Sequence, residues 1–223
     1  MENKRVILGL DVSTATIGIC LMLCNDDNVD IAKLTHITPK ISSKVKGIES
    51  LFLKKNIFEN EFLNQYKDYG ITNVVIEEPL LGSNNIYTIA TLLKFNALVS
   101  ESIYNILGIV PEYISSHDSR AYAFPELVAV RKFDKKGNPY TESKVKSNKP
   151  VLFGEYPWDI DKKQVILDKV SEKYPDVEWI YDKKGELKKE NFDSSDSVCC
   201  ILGYLGLEKN PKPEVIKEHK KRK

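Results

Sequence analysis

Arg5-Val-Ile-Leu-Gly-Leu-Asp-Val12 decides how this chain is read, because it is an apolar strand that carries an acid near its end. The run is too short for a helix and rich in β-formers, which makes it a buried strand. An Asp there is poor strand chemistry and costly to bury unless something balances its charge. Ser13-Thr14-Ala15-Thr16 follows as a small-residue turn, and Ile17-Gly-Ile-Cys-Leu-Met-Leu-Cys24 reads as a second strand. Asn25-Asp26-Asp27-Asn28 signals another turn, after which residues 29–37 form a third strand. The chain therefore opens with an antiparallel meander.

Residues 44–68 place Val45, Ile48, Leu51, Phe52, Ile57, Phe58, Phe62 and Leu63 at helical spacing, and Gly70 ends that helix. Thr72-Asn-Val-Val-Ile-Glu77 is a fourth strand, again ending in an acid, before the breaks at Pro79 and Gly82. Residues 85–107 form a long helix closed by Gly108, and 109–115 a fifth strand. The order β-β-β-α-β-α-β implies a mixed five-stranded sheet, three antiparallel strands and then parallel ones, flanked by helices. Residues 125–160 interrupt this pattern with four prolines, two glycines and many lysines, and are expected to form an inserted hairpin or loop. A helix runs from about Asp161 to Tyr174. A polar excursion over 176–192 follows, with a short strand at Val177–Tyr181, and Ser194–Leu205 is a final apolar helix. The expected organisation is one domain over 1–207 and a basic tail over 208–223.

Three more acids share the character of Asp11. Glu77 is delivered at the end of a strand by Val74-Val75-Ile76. Asp193 and Asp196 stand three apart on one face at the start of an apolar helix, where the helix dipole partly offsets their repulsion. Each has a plain alternative: Asp193 as an N-cap, Glu77 facing solvent, Asp11 capping the turn after it. Taken together, acids on strand 1, strand 4 and the last helix converge on one edge if strands 1 and 4 are neighbours. Clustered carboxylates repel unless cations neutralise them, and an all-oxygen set suits Mg²⁺ or Mn²⁺ better than zinc.

These stretches resemble the RuvC-type Holliday junction resolvases of the RNase H-like fold. Ile7-Leu-Gly-Leu-Asp-Val-Ser13 with Gly18 is similar to that family's first strand and turn. Val75-Ile-Glu-Glu78 is similar to its second acidic motif, and Asp193-Ser-Ser-Asp-Ser-Val198 to its closing helix start. Lys162-Lys-Gln-Val165 resembles the basic residues before its third helix. The resemblance covers most of 5–124 and 161–207. It implies an RNase H-like α/β fold and a homodimer that resolves four-way DNA junctions. It also implies phosphodiester hydrolysis with two Mg²⁺ ions per site, Mn²⁺ substituting, held by Asp11, Glu77, Asp193 and Asp196. Lys163 or Lys162 would stand near the scissile phosphate, with Ser13 and Ser116 as phosphate or metal neighbours. The helix 85–107, apolar on more than one stripe, is the expected dimer interface. The chain departs from compact members of the family at 125–160 and 176–192.

Composition agrees with a globular protein: 42% hydrophobic and 29% charged residues, with no run long and apolar enough for a membrane span. Met1–Arg5 offers no cleavable signal, so a cytoplasmic location is expected. Cys20, Cys24, Cys199 and Cys200 lack zinc-site spacing and read as small buried side chains. The net charge is only +1, yet residues 131–149 and 209–223 each carry seven Lys/Arg against two acids. Together they hold +10, leaving −9 for the rest. Arg131, Lys132, Lys135, Lys136, Lys144, Lys146 and Lys149 are thus candidate contacts to junction arms. Three other readings stay open: a nuclease of the same fold acting on other branched DNA or on RNA–DNA hybrids, a catalytically silent nucleic-acid-binding module, and an actin-like phosphate loop at Gly9–Gly18.

Overall fold

The computed structural model describes residues 4–25, 28–80 and 85–211. The expected turn at Asp26-Asp27, the break at Gly82 and most of the 208–223 tail lie outside the described residues. Five strands form one sheet in the order β3-β2-β1-β4-β5: β1 Arg5–Val12, β2 Ile17–Cys24, β3 Val29–Ile37, β4 Asn73–Glu77 and β5 Glu112–Ile114. β1 pairs antiparallel with β2 and parallel with β4, and β4 pairs parallel with β5. This is the mixed five-stranded sheet that the strand order implies, and it agrees with the RNase H-like fold expected from the resemblance.

Strand alternation sends the two halves of each strand's apolar set to opposite faces. Leu8, Leu10, Val74 and Ile76 pack against α1 (Gly47–Phe58) and α3 (Ile86–Leu107), through Phe58, Phe95 and Val99. Ile7, Cys20 and Val75 pack instead on α6 (Lys162–Lys173) and α7 (Glu190–Lys209), through Ile166, Val198 and Ile201. All four cysteines are buried free thiols, in line with their reading as small core side chains. Among the described residues no helix is long and apolar enough to cross a membrane.

The last helix lies unusually close to the sheet. A Cβ at Gly18 would meet the Asp193 carbonyl oxygen at 2.0 Å, and one at Gly9 would meet the Ser197 oxygen at 2.3 Å. Only hydrogen side chains at these two positions leave room for α7. The Ser194 hydroxyl completes the contact by donating to the Thr35 carbonyl at 3.2 Å.

Several boundaries differ from the sequence reading. The helix expected over 44–68 begins at Gly47, passes through a π-helical turn at Glu59–Leu63 and ends in a short α2 (Asn64–Tyr66). α7 begins at Glu190, not Ser194, and continues to Lys209. Val177–Tyr181 is not a strand: a single bridge joins Tyr181 to Leu187 across the Asp182–Gly185 turn. α4 (Ser116–Ala123) was not expected at all. The 125–160 segment is a hairpin whose arms are β6 (Val128–Val130) and β7 (Pro150–Leu152), with the short α5 (Glu142–Ser147) between them. Its base is anchored, since Leu127 and Phe153 are buried in the core beside α6 and α7.

Candidate active site

The sheet register brings the acids together. Leu10 pairs with Ile76 across the parallel β1–β4 ladder, so Asp11 and Glu77, one residue further along, leave adjacent strands side by side. Both share the face of Gly9 and Val75, which is the face α7 covers. α7 presents Asp193 in its first turn and Asp196 one turn later, directly over Gly18. The plain alternatives for these acids do not hold. The turn after β1 is capped by Ser13, whose hydroxyl accepts from the Thr16 amide at 3.0 Å and donates to the Thr16 carbonyl at 2.8 Å. The residue before α7 is Lys189, so Asp193 is not its N-cap. Glu77 Oε2 is buried and has no hydrogen-bond partner among the described residues.

Two cations enter the cluster. Lys163 Nζ stands 3.3 Å from Asp193 Oδ1 and 3.6 Å from Asp196 Oδ2. Arg120 Nη2 donates to Asp196 Oδ1 at 2.9 Å, and this pair is well buried, with side-chain exposures of 13% and 2%. Burial of Arg120 works against its charge, but Asp196 and Glu77 outweigh it and hold the guanidinium above its ordinary value. Lys163 behaves likewise: burial opposes its charge, while Asp196, Asp193 and Asp11 raise it.

The carboxylates are strained in the opposite sense. Burial first, then repulsion from Glu77, Asp196 and Asp193, pushes the Asp11 carboxyl well above the usual range. Burial and then Asp196 push Glu77 from 4.5 to about 7, against the pull of Arg120 and Lys163. Asp193 is raised by burial, partly countered by Lys163. A raised acid costs stability in its charged form, so the sign follows directly. Near pH 4 both folded and unfolded chains keep the Glu77 proton; between 4.5 and about 7 only the folded chain does. Without metal ions the fold is therefore expected to lose stability as pH rises through that window, by up to roughly 3 kcal/mol from Glu77. Thermal melting in EDTA at about pH 5 and about pH 8 measures it. Greater stability at the higher pH would contradict the crowding of these acids.

Among the described residues no three His, Cys, Asp or Glu side chains form a ready-made metal cage. Arg120 and Lys163 pair with oxygens of Asp196 and Asp193. Among the described residues neither Asp11 nor Glu77 forms an ion pair, and the buried Glu77 Oε2 is an oxygen donor with no hydrogen-bond partner there. The donor set thus fits a hard divalent cation at Asp11 and Glu77.

Of the other expected site residues, Ser116 and Lys162 line a cavity of about 630 Å³ beside the acids, together with Glu78, Arg120 and Phe153. Lys162 Nζ lies 6.0 Å from the centre of the Phe153 ring, not on a carboxylate. Ser13 spends its hydroxyl on the turn. The insertion keeps its basic residues away from the acids: Arg131 stacks over Trp158 at 4.3 Å, with Lys135 at 5.9 Å from the same ring. Lys132 pairs with Glu155 and Lys146 with Glu142, both at 2.6 Å. Lys136, Lys144 and Lys149 are exposed and form no ion pair among the described residues.

Arg120 is the site residue that sequence reasoning missed. The start of its helix, though not the arginine's role, had a signal: Ser115 is the N-cap, its Oγ accepting from the Asp118 amide at 3.1 Å and donating to the Asp118 carboxylate at 2.7 Å. That start fixes α4 and places Arg120 on the side facing α7.

Comparison with solved structures supports the fold assignment. RuvC of Thermus thermophilus, in complex with a Holliday junction substrate, superposes with a TM-score of 0.56 over 92% of this chain and 95% of that one, at 7% identity. The Thermus thermophilus RuvC structure on its own gives 0.53 over 92% and 96%, at 9% identity. At such identity the likeness is one of fold. No protein-family model and no curated protein matches the chain.

Proposed function

We propose that this chain is a divalent-metal-dependent endonuclease that cuts branched DNA, with the four-way junction as its substrate. The observation that carries the reading is the convergence of Asp11, Glu77, Asp193 and Asp196 on one sheet edge, with Lys163 and Arg120 among them. The fold's likeness to a RuvC structure solved with a Holliday junction supports the choice of substrate.

Asp11, the most crowded of the four, and Glu77 would hold Mg²⁺ or Mn²⁺, with Asp193 and Asp196 beside them. Such an ion, when bound, would supply an acidified water and positive charge for the leaving 3′-oxygen, and hydrolysis would leave 5′-phosphate and 3′-hydroxyl ends. Lys163 reaches the acids from the start of α6 and offers a charge to the scissile phosphate. Ser116 and Lys162 line the adjoining cavity, where they would meet the neighbouring part of the same strand.

Two symmetric cuts call for a twofold dimer. α3 supports one: Ile86 (72% exposed), Leu93 (45%) and Tyr104 (56%) lie on its outer side, opposite the buried Phe95, Val99 and Ile103. The test is cleavage of a labelled mobile four-way junction with Mg²⁺ beside linear duplex, a flap and an RNA–DNA hybrid. Paired symmetric nicks on the junction alone are expected. Unpaired nicks would remove the dimer, and preference for another substrate would reassign the biology while keeping the site.

The exposed cations of the insertion predict a second result. Replacing Lys136, Lys144 and Lys149 together by Ala is expected to weaken junction binding and lower its salt slope by about 2–3. Equal affinity at every salt concentration would exclude the insertion from the DNA interface.

A further inference from the structure

Four carboxylates and two basic side chains share this site, and their pairing is uneven. Asp196 gives Oδ1 to Arg120 and Oδ2 to Lys163, and Asp193 gives Oδ1 to Lys163. Asp11 and Glu77 receive no hydrogen bond or ion pair from either, and Glu77 Oε2 is buried without a partner. With every group ionised, the two basic residues cancel half of the four negative charges, and what remains equals one dication.

The two basic residues also differ in how firmly they are held. The Lys163 side chain is 49% exposed and can swing away. Arg120 cannot. Its helix lies backbone to backbone on α7: a Cβ at Gly203 would fall 2.5 Å from the Ser119 Cα and carbonyl oxygen, and one at Gly206 would fall 2.7 Å from the Tyr122 oxygen. Asp196 and Gly203 are seven residues apart on the same side of α7, so the glycine contact sets the separation of Arg120 from Asp196.

We propose that Arg120 is a built-in cation of this site which, with Lys163, takes the electrostatic place of one of two divalent ions and leaves a single ion seat at Asp11 and Glu77. The two-ion expectation is thereby revised for this chain. The inference rests on the reading that the acids hold a divalent cation. Arg120 acts through Asp196 and is a positioning residue. Its guanidinium holds Asp196 Oδ1 at 2.9 Å, aims that carboxylate, and excludes a second ion from the α7 side of the site.

The count of bound ions tests this independently of cleavage. Metal-free protein is titrated with Mn²⁺ alone and the free ion is followed by electron paramagnetic resonance. Wild type is expected to bind one Mn²⁺ per chain, and Asp11→Asn none. Arg120→Met, close in volume but neutral, is expected to bind two. Its melting temperature in EDTA should fall by roughly 10 °C, because Asp196 loses its buried partner and keeps only the half-exposed Lys163, and should recover on adding Mn²⁺. Arg120→Lys restores the charge and should return the count to one. Arg120→Gln provides the neutral comparison in a second background if Arg120→Met does not fold. Two ions of comparable affinity on wild type, or a single ion on both neutral variants, would overturn the inference while leaving the nuclease reading standing. No Mn²⁺ bound by any variant would overturn both.

Discussion

Asp11→Asn is expected to lower junction cleavage by about three orders of magnitude or more while leaving the fold intact or more stable. The two halves of this result come from one fact. Asp11 is buried and stands among Glu77, Asp196 and Asp193, and burial and these neighbours together hold its carboxyl well above the ordinary range. Asn has the same shape without the charge. The neutral amide relieves repulsion in the metal-free protein and removes the donor needed to hold a cation. Activity and stability should therefore move in opposite directions, with cleavage lost and the melting temperature in EDTA unchanged or raised. A structural aspartate would show the reverse pattern, falling stability with activity lost only in proportion. Cleavage within tenfold of wild type would remove Asp11 from the chemistry and leave the silent binding module as the better reading.

Gly18→Ala is the second large effect, and it reaches the same site from the opposite direction. The added methyl would sit 2.0 Å from the Asp193 carbonyl oxygen and 2.9 Å from the Ser194 amide nitrogen. These are backbone atoms of α7 facing the backbone of β2, so no rotamer change can absorb the clash. Overpacking of a core typically costs about 1–3 kcal/mol, and a backbone-on-backbone case belongs at or above the top of that range. For a chain of this length that is a fall in melting temperature of roughly 6–12 °C. The clash is resolved only by lifting the first turn of α7, which carries Asp193 away from Asp11. Thermal melting and junction cleavage should thus fall together, and added Mg²⁺ should not restore either. A variant as stable and active as wild type would show that α7 does not sit this close to the sheet.

The parts of this architecture that were legible in the sequence are those where one residue violates its surroundings. Asp11 in an apolar strand and Glu77 at the tip of another announce themselves, because burying a lone carboxylate is costly. Gly9 and Gly18 stood in the quoted motif, but their meaning, the passage of a helix overhead, required the tertiary structure. Arg120 was illegible for a different reason. Nothing about an arginine in a short polar segment is out of place, and its significance lies in a partner 76 residues away. α7 was clipped at its start because Glu190–Phe192 looks polar and unpatterned, although Asn191 is buried, bonding both the amide and the carbonyl of Ile180. That same pair of bonds, made by a side chain, gives the backbone around Ile180 what a neighbouring strand would have supplied. The apolar residues at 177–181 therefore read as a strand without being one.

The inserted hairpin leaves and re-enters the core at two well-buried points, Leu127 and Phe153, the latter in a left-handed conformation with φ of 58°. Phe153 donates its amide to the Leu127 carbonyl at 2.7 Å, so the two ends of the insertion are stapled together below everything that projects. Residues 131–149 hang from that staple, and the acids do not depend on them. The chain is in this sense written at two speeds. Around Gly18, Gly203, Arg120 and the four acids, each position is constrained by its neighbours, and single changes there are expected to be purged. Above the staple, length and charge can drift, lysines can be gained or lost, and a whole arm can be exchanged between relatives. Lineages descended from this chain would be expected to keep the acid cluster while changing the charge and length of the arm above it.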